Sequence, residues 1–311
     1  MFEKVLIPTD FSQYAHKIFE CIGDIPEITE VVLLNVVARD PLARVWDPVA
    51  EAKAAEKKLA EEKAHFTRQD VNVKVRAVSA LEGEVPAAIQ KVADEEKVQL
   101  VIMGARGKSL IRSAFLGSVT RNVLRFGDKH LLIMRYKMPE GLGPVGTKGT
   151  WVSGKIPEEP KEPLILEKFC AMPFAKVLVT TDFSQPSEAA ISFIKGIPGV
   201  GEIVLLHVVS KGETTQSIES SVKKATEMLK GMNQNLSKDG LKVSTKVAIG
   251  NPVEQIRSVA DEEDVSLIAM SSVGKNTLKT MRIGSRTYDV ANTAGRPVLV
   301  LRMKPIFEIS A

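Results

Sequence analysis

The chain has 311 residues, 44% of them hydrophobic and 26% charged, a composition that fits a globular protein of one to three domains. Its 42 basic and 38 acidic side chains leave a net charge of +4, too mild to imply a nucleic-acid or membrane-surface partner, and aromatics at 5% argue against stacking on single-stranded bases. No apolar run reaches bilayer length and no leader pattern precedes the first strand, so a cytoplasmic protein without membrane insertion is expected. Cys21 and Cys170 stand in no metal or redox spacing, and no disulfide framework is expected.

Val5 to Pro8 is expected as the first strand, with Thr9-Asp10-Phe11-Ser12 turning into a helix capped by Ser12. Val31 to Val37 is a second buried strand. A helix follows from about Val49 to Gln69, its Glu and Lys run reading as a solvated face. Val71 to Arg76 alternates apolar and polar residues, as a half-exposed edge strand does. Gly83-Glu84-Val85-Pro86 opens another helix with an apolar stripe of Val85, Ala88, Ile89, Val92 and Ala93. Leu100 to Met103 is an unbroken uncharged run, the mark of a parallel strand buried on both faces. It leads into Gly104-Ala105-Arg106-Gly107. After nine intervening residues comes Gly117-Ser118-Val119-Thr120, at the start of a short helix, and His130 to Met134 is the last strand.

Phe2 to Ser12 is repeated at Phe174 to Ser184 with most positions identical, so the chain is a tandem duplication. Strands of the second copy are expected at Val177–Thr180, Ile203–Val209, Leu241–Val247, Leu267–Met270 and Val298–Leu301. Strand and helix alternate throughout, which specifies α/β domains with parallel sheets and right-handed crossovers. The domains are expected at 1–137 and 174–311, joined by a Pro/Gly-rich linker at 138–173.

Glycine lets backbone approach a ligand closely, and free amides at a helix start attract anions. Arg106, Lys108, Arg112 and Arg121 add positive charge to that stretch, so the chemistry indicated is phosphate binding. An isolated Gly-x-x-Gly is a weak signal. The full spacing, together with Pro8-Thr9-Asp10 at a strand end and the duplication, resembles the universal stress protein family over both copies. The resemblance implies, for each copy, a doubly wound five-stranded parallel sheet in the order 3-2-1-4-5 with helices on both faces. The edge position read for the third strand agrees. In such a sheet ligands bind beyond the strand ends where the order reverses, here between strands one and four.

The resemblance further implies an adenine nucleotide, ATP or AMP, with any Mg²⁺ held by its phosphates. Pro8, Thr9 and Asp10 would contact the nucleoside, and Val36 would flank the adenine through its backbone. Met103, Gly104, Arg106 and Gly107 would hold ribose and phosphates, and Gly117, Ser118, Val119 and Thr120 would complete the cradle. The second copy retains Thr181, Asp182, Val208, Gly274, Gly284, Ser285 and Thr287, but Ser271 replaces the first glycine and Val273 the arginine. Lys275, Lys279, Arg282 and Arg286 could supply charge there from other positions. The first copy is expected to bind more tightly, because the second lacks the arginine's charge-assisted bond and, if Gly104 holds a positive φ, serine at that position is strained. His207, matched by Asn35 in the first copy, is expected to be structural, and no metal or catalytic set is apparent.

The apolar last strands, Leu131–Met134 and Val298–Leu301, would lie at sheet edges and need covering. The family pairs them between subunits; here internal pairing is expected, with a homodimer as a further possibility. The function implied is that of a stress-response protein acting as a nucleotide-dependent sensor or regulator. The alternative is a slow ATPase or nucleotidyl transferase in the same crevice, although the Gly-x-x-x-x-Gly-Lys-Ser/Thr loop is missing. Another adenosine-binding relative, such as an electron-transfer flavoprotein, shares the fold class.

Overall fold

The computed structural model describes residues 2–22, 25, 27–39, 46–66, 68, 70–106, 115–135, 173–210, 214–275, 277 and 281–303. Gly107, Lys108, Arg112 and Lys279 lie outside the described residues, as does the expected linker apart from Pro173.

The first copy runs β1 (Lys4–Pro8), α1 (Gln13–Cys21), β2 (Glu30–Arg39), α2 (Pro48–Ala64), β3 (Asn72–Leu81), α3 (Val85–Glu95), β4 (Leu100–Gly104), α4 (Ser118–Phe126) and β5 (His130–Met134). The second runs β6 (Lys176–Thr180), α5 (Gln185–Lys195), β7 (Glu202–Val209), α6 (Thr215–Ser237), β8 (Lys242–Ile249), α7 (Pro252–Glu262), β9 (Leu267–Ser271), α8 (Ser285–Thr293) and β10 (Val298–Leu301). The strands of the described residues form one ten-stranded sheet in the order β3-β2-β1-β4-β5-β10-β9-β6-β7-β8. Each half is parallel in the order 3-2-1-4-5, and the halves join through β5 and β10, the one antiparallel pair among the described residues.

Strand residues alternate between two apolar layers, each continuous across both copies. Val5, Ile7, Leu132 and Leu299 face Ile18 and Phe19 of α1, Leu59 of α2, Ile191 of α5 and Leu229 of α6. Leu6, Leu131, Ile133 and Val300 face Ile89 of α3, Val123 of α4, Ile256 of α7 and Val290 of α8. The central strands are therefore buried on both sides, which explains why they read as unbroken apolar runs. α2 ends at Ala64, short of the expected Gln69, because Phe66 turns inward to stack on Phe19 at 4.7 Å. β3 extends to Leu81, past the clean alternation, since β2 continues beside it to Arg39. Cys21 is disulfide-bonded, contrary to expectation: residue spacing along a chain says nothing of distance across it. No helix among the described residues is long and apolar enough to cross a membrane.

The join has approximate two-fold symmetry. Leu132 stands opposite its own equivalent Leu299, with Ile133 opposite Val298 and Leu131 opposite Val300. Arg135, just past β5, donates from Nη2 to the Ala291 carbonyl near the end of α8 at 2.6 Å. Arg302, just past β10, donates to the equivalent carbonyl, Leu124 near the end of α4, at 2.5 Å. Each copy thus places a cation on the negative end of the other's helix. Burial lowers both guanidinium groups to about 10, which leaves them charged at neutral pH. At the far end of each sheet half a carboxylate gathers lysines and arginines. Glu96 meets Lys74, Arg76 and Lys4 at 2.7, 2.7 and 3.2 Å, and Glu263 meets Lys176 at 2.7 Å and also Lys246. The bond from Lys74 leads in holding Glu96 at about 2, and that from Lys176 does the same for Glu263.

His130 lies at the same join, its ring 5.0 Å from that of Phe193 in the second copy. Its Nδ1 accepts the Arg302 amide at 3.0 Å, so this nitrogen is unprotonated. Burial, aided by the Arg302 charge, depresses the imidazole from 6.5 to about 4. As pH falls the unfolded chain takes up this proton first. The stability is full above pH 6.5 and is lost between there and pH 4, by up to about 3 kcal/mol. The Glu96 and Glu263 contributions are lost only below about 4.5, outside most of that window. Urea unfolding from about pH 7 down to about pH 5 should show the loss, and His130→Gln should flatten it. A variant with the wild-type pH profile would assign the slope elsewhere.

Candidate functional site

The site begins with the expected turn from Thr9 to Ser12, whose backbone conformation sequence reading did not foresee. Phe11, between β1 and α1, has φ 61°, and Phe183 in the second copy has φ 59°. Bulky residues rarely adopt this conformation. Here three side chains over-determine it. Thr9 Oγ1 accepts the Phe11 amide at 3.0 Å, Asp10 Oδ1 accepts the Ser12 amide at 3.0 Å, and Ser12 Oγ caps α1 through the Ala15 amide at 3.2 Å. Thr9 is tied to the neighbouring strand by its own amide to the Leu34 carbonyl and by Asn35 Nδ2 to the Thr9 carbonyl, both 2.8 Å.

The second wall comes from the loop after β4. The Ala105 amide bonds the Met134 carbonyl at 2.9 Å, and the Gly117 amide bonds the Ala105 carbonyl at 2.8 Å. Thr120 Oγ1 donates to the Gly104 carbonyl at 2.8 Å, which draws α4 onto the strand end. Gly117 is the N-cap of α4 and supplies no capping side chain. By contrast Ser12, Asp47, Ser184, Thr214 and Asn251 cap other helices with their side chains. The first turn of α4 therefore presents backbone donors to the cleft.

Between these walls lies a cleft of about 650 Å³. Pro8, Thr9, Asp10, Val36, Met103, Gly104, Arg106, Gly117, Ser118, Val119 and Thr120 all line it. Gly107, the remaining residue expected for this site, lies outside the described residues. The cleft sits where the strand order reverses, at the carboxyl ends of β1 and β4.

Sequence reading missed one side of it. Glu51, Ala54, Ala55 and Lys58 of α2 face the cleft, and Lys58 Nζ lies 5.6 Å from the centre of the Phe11 ring. The i, i+3, i+4, i+7 spacing of these residues was the available signal, hidden in a charge run read as solvated. Glu62, on the same helix, is shifted upward chiefly by burial.

Gly104 does not hold the expected positive φ; among described glycines only Gly199, Gly240 and Gly250 do. Its constraint is space. A Cβ there would stand 2.8 Å from the Arg106 carbonyl oxygen and 3.1 Å from Ile18 Cδ1. In the second copy the loop takes another course, in which the Ser271 hydroxyl donates to the Val273 carbonyl at 2.5 Å.

Much of the second site is retained. Thr181 Oγ1 accepts the Phe183 amide at 3.0 Å, Thr287 Oγ1 bonds the Ser271 carbonyl at 2.9 Å, and Gly284 leaves α8 without a side-chain cap. His207 takes the part of Asn35, its Nδ1 2.8 Å from the Thr181 carbonyl, so the proton resides on Nδ1. Burial lowers this imidazole, in keeping with a structural histidine. The loop, however, is occupied from within. Asp182 Oδ2 accepts the Lys275 amide at 2.8 Å, and Thr277 Oγ1 accepts the Gly274 amide at 3.0 Å. Burial works to raise the Asp182 carboxyl, but the bonds from Ser184 and Lys275 outweigh it and hold the group below its usual value.

The geometry defines a tandem doubly wound α/β protein with a crevice at the strand-order reversal of its first half. The chain belongs to the universal stress protein family, whose model matches residues 1–135 and 173–302. It is 31% identical to universal stress protein MJ0577 of Methanocaldococcus jannaschii, over 42% of this chain and 96% of that one. With universal stress protein YxiE of Bacillus subtilis the identity is 30%, over 42% and 99%. Each of these relatives corresponds in length to one copy. A crystal structure of a universal stress protein from Archaeoglobus fulgidus shares the fold across both copies, covering 97% of this chain and 96% of its own with a TM-score of 0.64 at 22% identity.

Steric closure at Gly104 yields a paired expectation. Gly104→Ala should destabilise the protein by about 1–3 kcal/mol through overpacking, whereas Ser271→Gly, which deletes one hydrogen bond, should cost about 1 kcal/mol. Urea midpoints measure both, and an unchanged midpoint for Gly104→Ala would contradict the close approach to the Arg106 carbonyl.

Proposed function

We propose that the first-copy cleft binds an adenine nucleotide, ATP or AMP, and that its occupancy regulates the partners of a cytoplasmic stress-response protein. The observation that carries this reading is the convergence of three distant stretches on one cleft whose far end is an uncapped helix start. Pro8, Thr9, Asp10 and Val36 serve the nucleoside; Met103, Gly104, Arg106 and Gly117 to Thr120 serve ribose and phosphates, with Gly107 in the same loop. A volume of about 650 Å³ suits a ligand of nucleotide size. Mg²⁺ would arrive with the phosphates and needs no protein cage. One nucleotide is taken up per chain, because Asp182 and Thr277 already satisfy loop amides of the second crevice.

Calorimetric titration with ATP should give a stoichiometry near one per chain. Gly117→Val has room for its Cβ, whose nearest neighbour would be 3.7 Å away, yet it fills the cradle. This variant should fold and lose at least about tenfold in affinity, while Gly284→Val should not. The reverse ranking would make the second copy the binding site.

The alternative, a slow ATPase or nucleotidyl transferase, lacks an evident base beside the phosphates, since Asp10 serves the nucleoside end. Phosphate release should fall far below the ordinary range of about 1–10³ s⁻¹. A rate inside that range, abolished by Asp10→Ala, would establish an enzyme instead.

A further inference from the structure

The nucleotide cradle of the first copy is held partly by the second. Leu116 directly precedes Gly117, so its position sets where the uncapped start of α4 points. Both of its backbone polar groups are anchored. Its carbonyl accepts from Arg121 Nη2 at 3.0 Å, within the first copy. Its amide donates to Asn292 Oδ1 at 3.1 Å, and Asn292 belongs to α8 of the second copy. The adjoining residue, Ala291, is the one whose carbonyl Arg135 grips at 2.6 Å. Arg135 in turn feels the charge of Arg106, which lines the cleft. The Ala291-Asn292 corner therefore meets the first copy at two points, the Leu116 amide and the Arg135 guanidinium.

The arrangement is not returned. The first-copy position equivalent to Asn292 is Arg125, which has no acceptor atom to offer an amide. Arg125 lies over the ring of Tyr288 at 5.0 Å instead. The two-fold symmetry of the join is broken at this pair, and it is broken in favour of the first copy.

We propose that Asn292 is a positioning residue for phosphate recognition in the first-copy site, which is incomplete without the second copy. This role rests on the nucleotide reading above. It predicts that loss of the Asn292 amide weakens phosphate-bearing ligands and spares the nucleoside.

The experiment is a calorimetric comparison of ATP with adenosine on the full chain, for wild type, Asn292→Ala, Asn292→Asp and Arg125→Ala, paired with hydrogen exchange at the Leu116 amide. Asn292→Ala should weaken ATP about fivefold or more, keep adenosine within about twofold, and speed Leu116 exchange. Asn292→Asp keeps an acceptor and should restore Leu116 protection. Arg125→Ala removes a different contact across the same join and should leave ATP affinity unchanged. Equal losses for ATP and adenosine, equal losses in Arg125→Ala, unaltered ATP binding in Asn292→Ala, or unprotected Leu116 in Asn292→Asp would each overturn the proposal. Wild type that binds neither ligand would overturn the nucleotide reading itself, and this role with it.

Discussion

β5 and β10 run antiparallel with Leu132 opposite Leu299, and this contact governs how the two halves relate. Each half would otherwise end in a bare apolar strand with its backbone groups unpaired. Joining the edges merges two five-stranded sheets into one, and with them the apolar layers on either face. The reciprocal arginines, Arg135 and Arg302, follow from the same geometry. A strand that ends beside its partner's helix terminus delivers its next residue to the free carbonyls there. The cradle at Gly117 inherits its setting from this join, since Met134, Asn292 and the loop after β4 all meet beside it.

Much of this was readable in the amino-acid order because buried parallel strands and glycine punctuation leave plain marks. Leu100–Met103 and His130–Met134 could be placed from their uninterrupted apolar character, and the β3 edge from the alternation of Val71 to Arg76. The residues brought together at the cleft come from strand ends, where the fold's own rule about strand-order reversal applies. What stayed hidden depended on three-dimensional neighbours. Lys58 and Glu51 looked like any charges on an exposed helix until α2 was laid against the strand ends. The Gly104 constraint was sought in backbone dihedrals and is found in the nearness of the Arg106 carbonyl. Asn292 carries no sequence signal at all, being an ordinary polar residue in the last turn of a helix.

The two copies have kept the same skeleton of bonds and spent it differently. Thr120 and Thr287 tie their helices to equivalent carbonyls, and Asn35 and His207 brace equivalent threonines. The copies part company at the Arg125 and Asn292 pair and in the loop after β9. Ser271 folds that loop over its own carbonyl, and Asp182 reaches it from the first turn. The loop after β9 thus has amides satisfied by the protein's own groups, while the sheet beneath keeps the strand order of the first half.

The positive φ of Phe11 recurs at Phe183, although Asp182 beside the latter already accepts an amide of the neighbouring loop. Had that backbone strain existed for the sake of a ligand, drift in the second copy would have been free to relax it. Its persistence marks the strand-to-helix exit as an architectural cost, met by the Thr-Asp-x-Ser hydrogen bonds in both halves. The strand-to-helix exit thus carries this dihedral in both halves, as part of the fold itself.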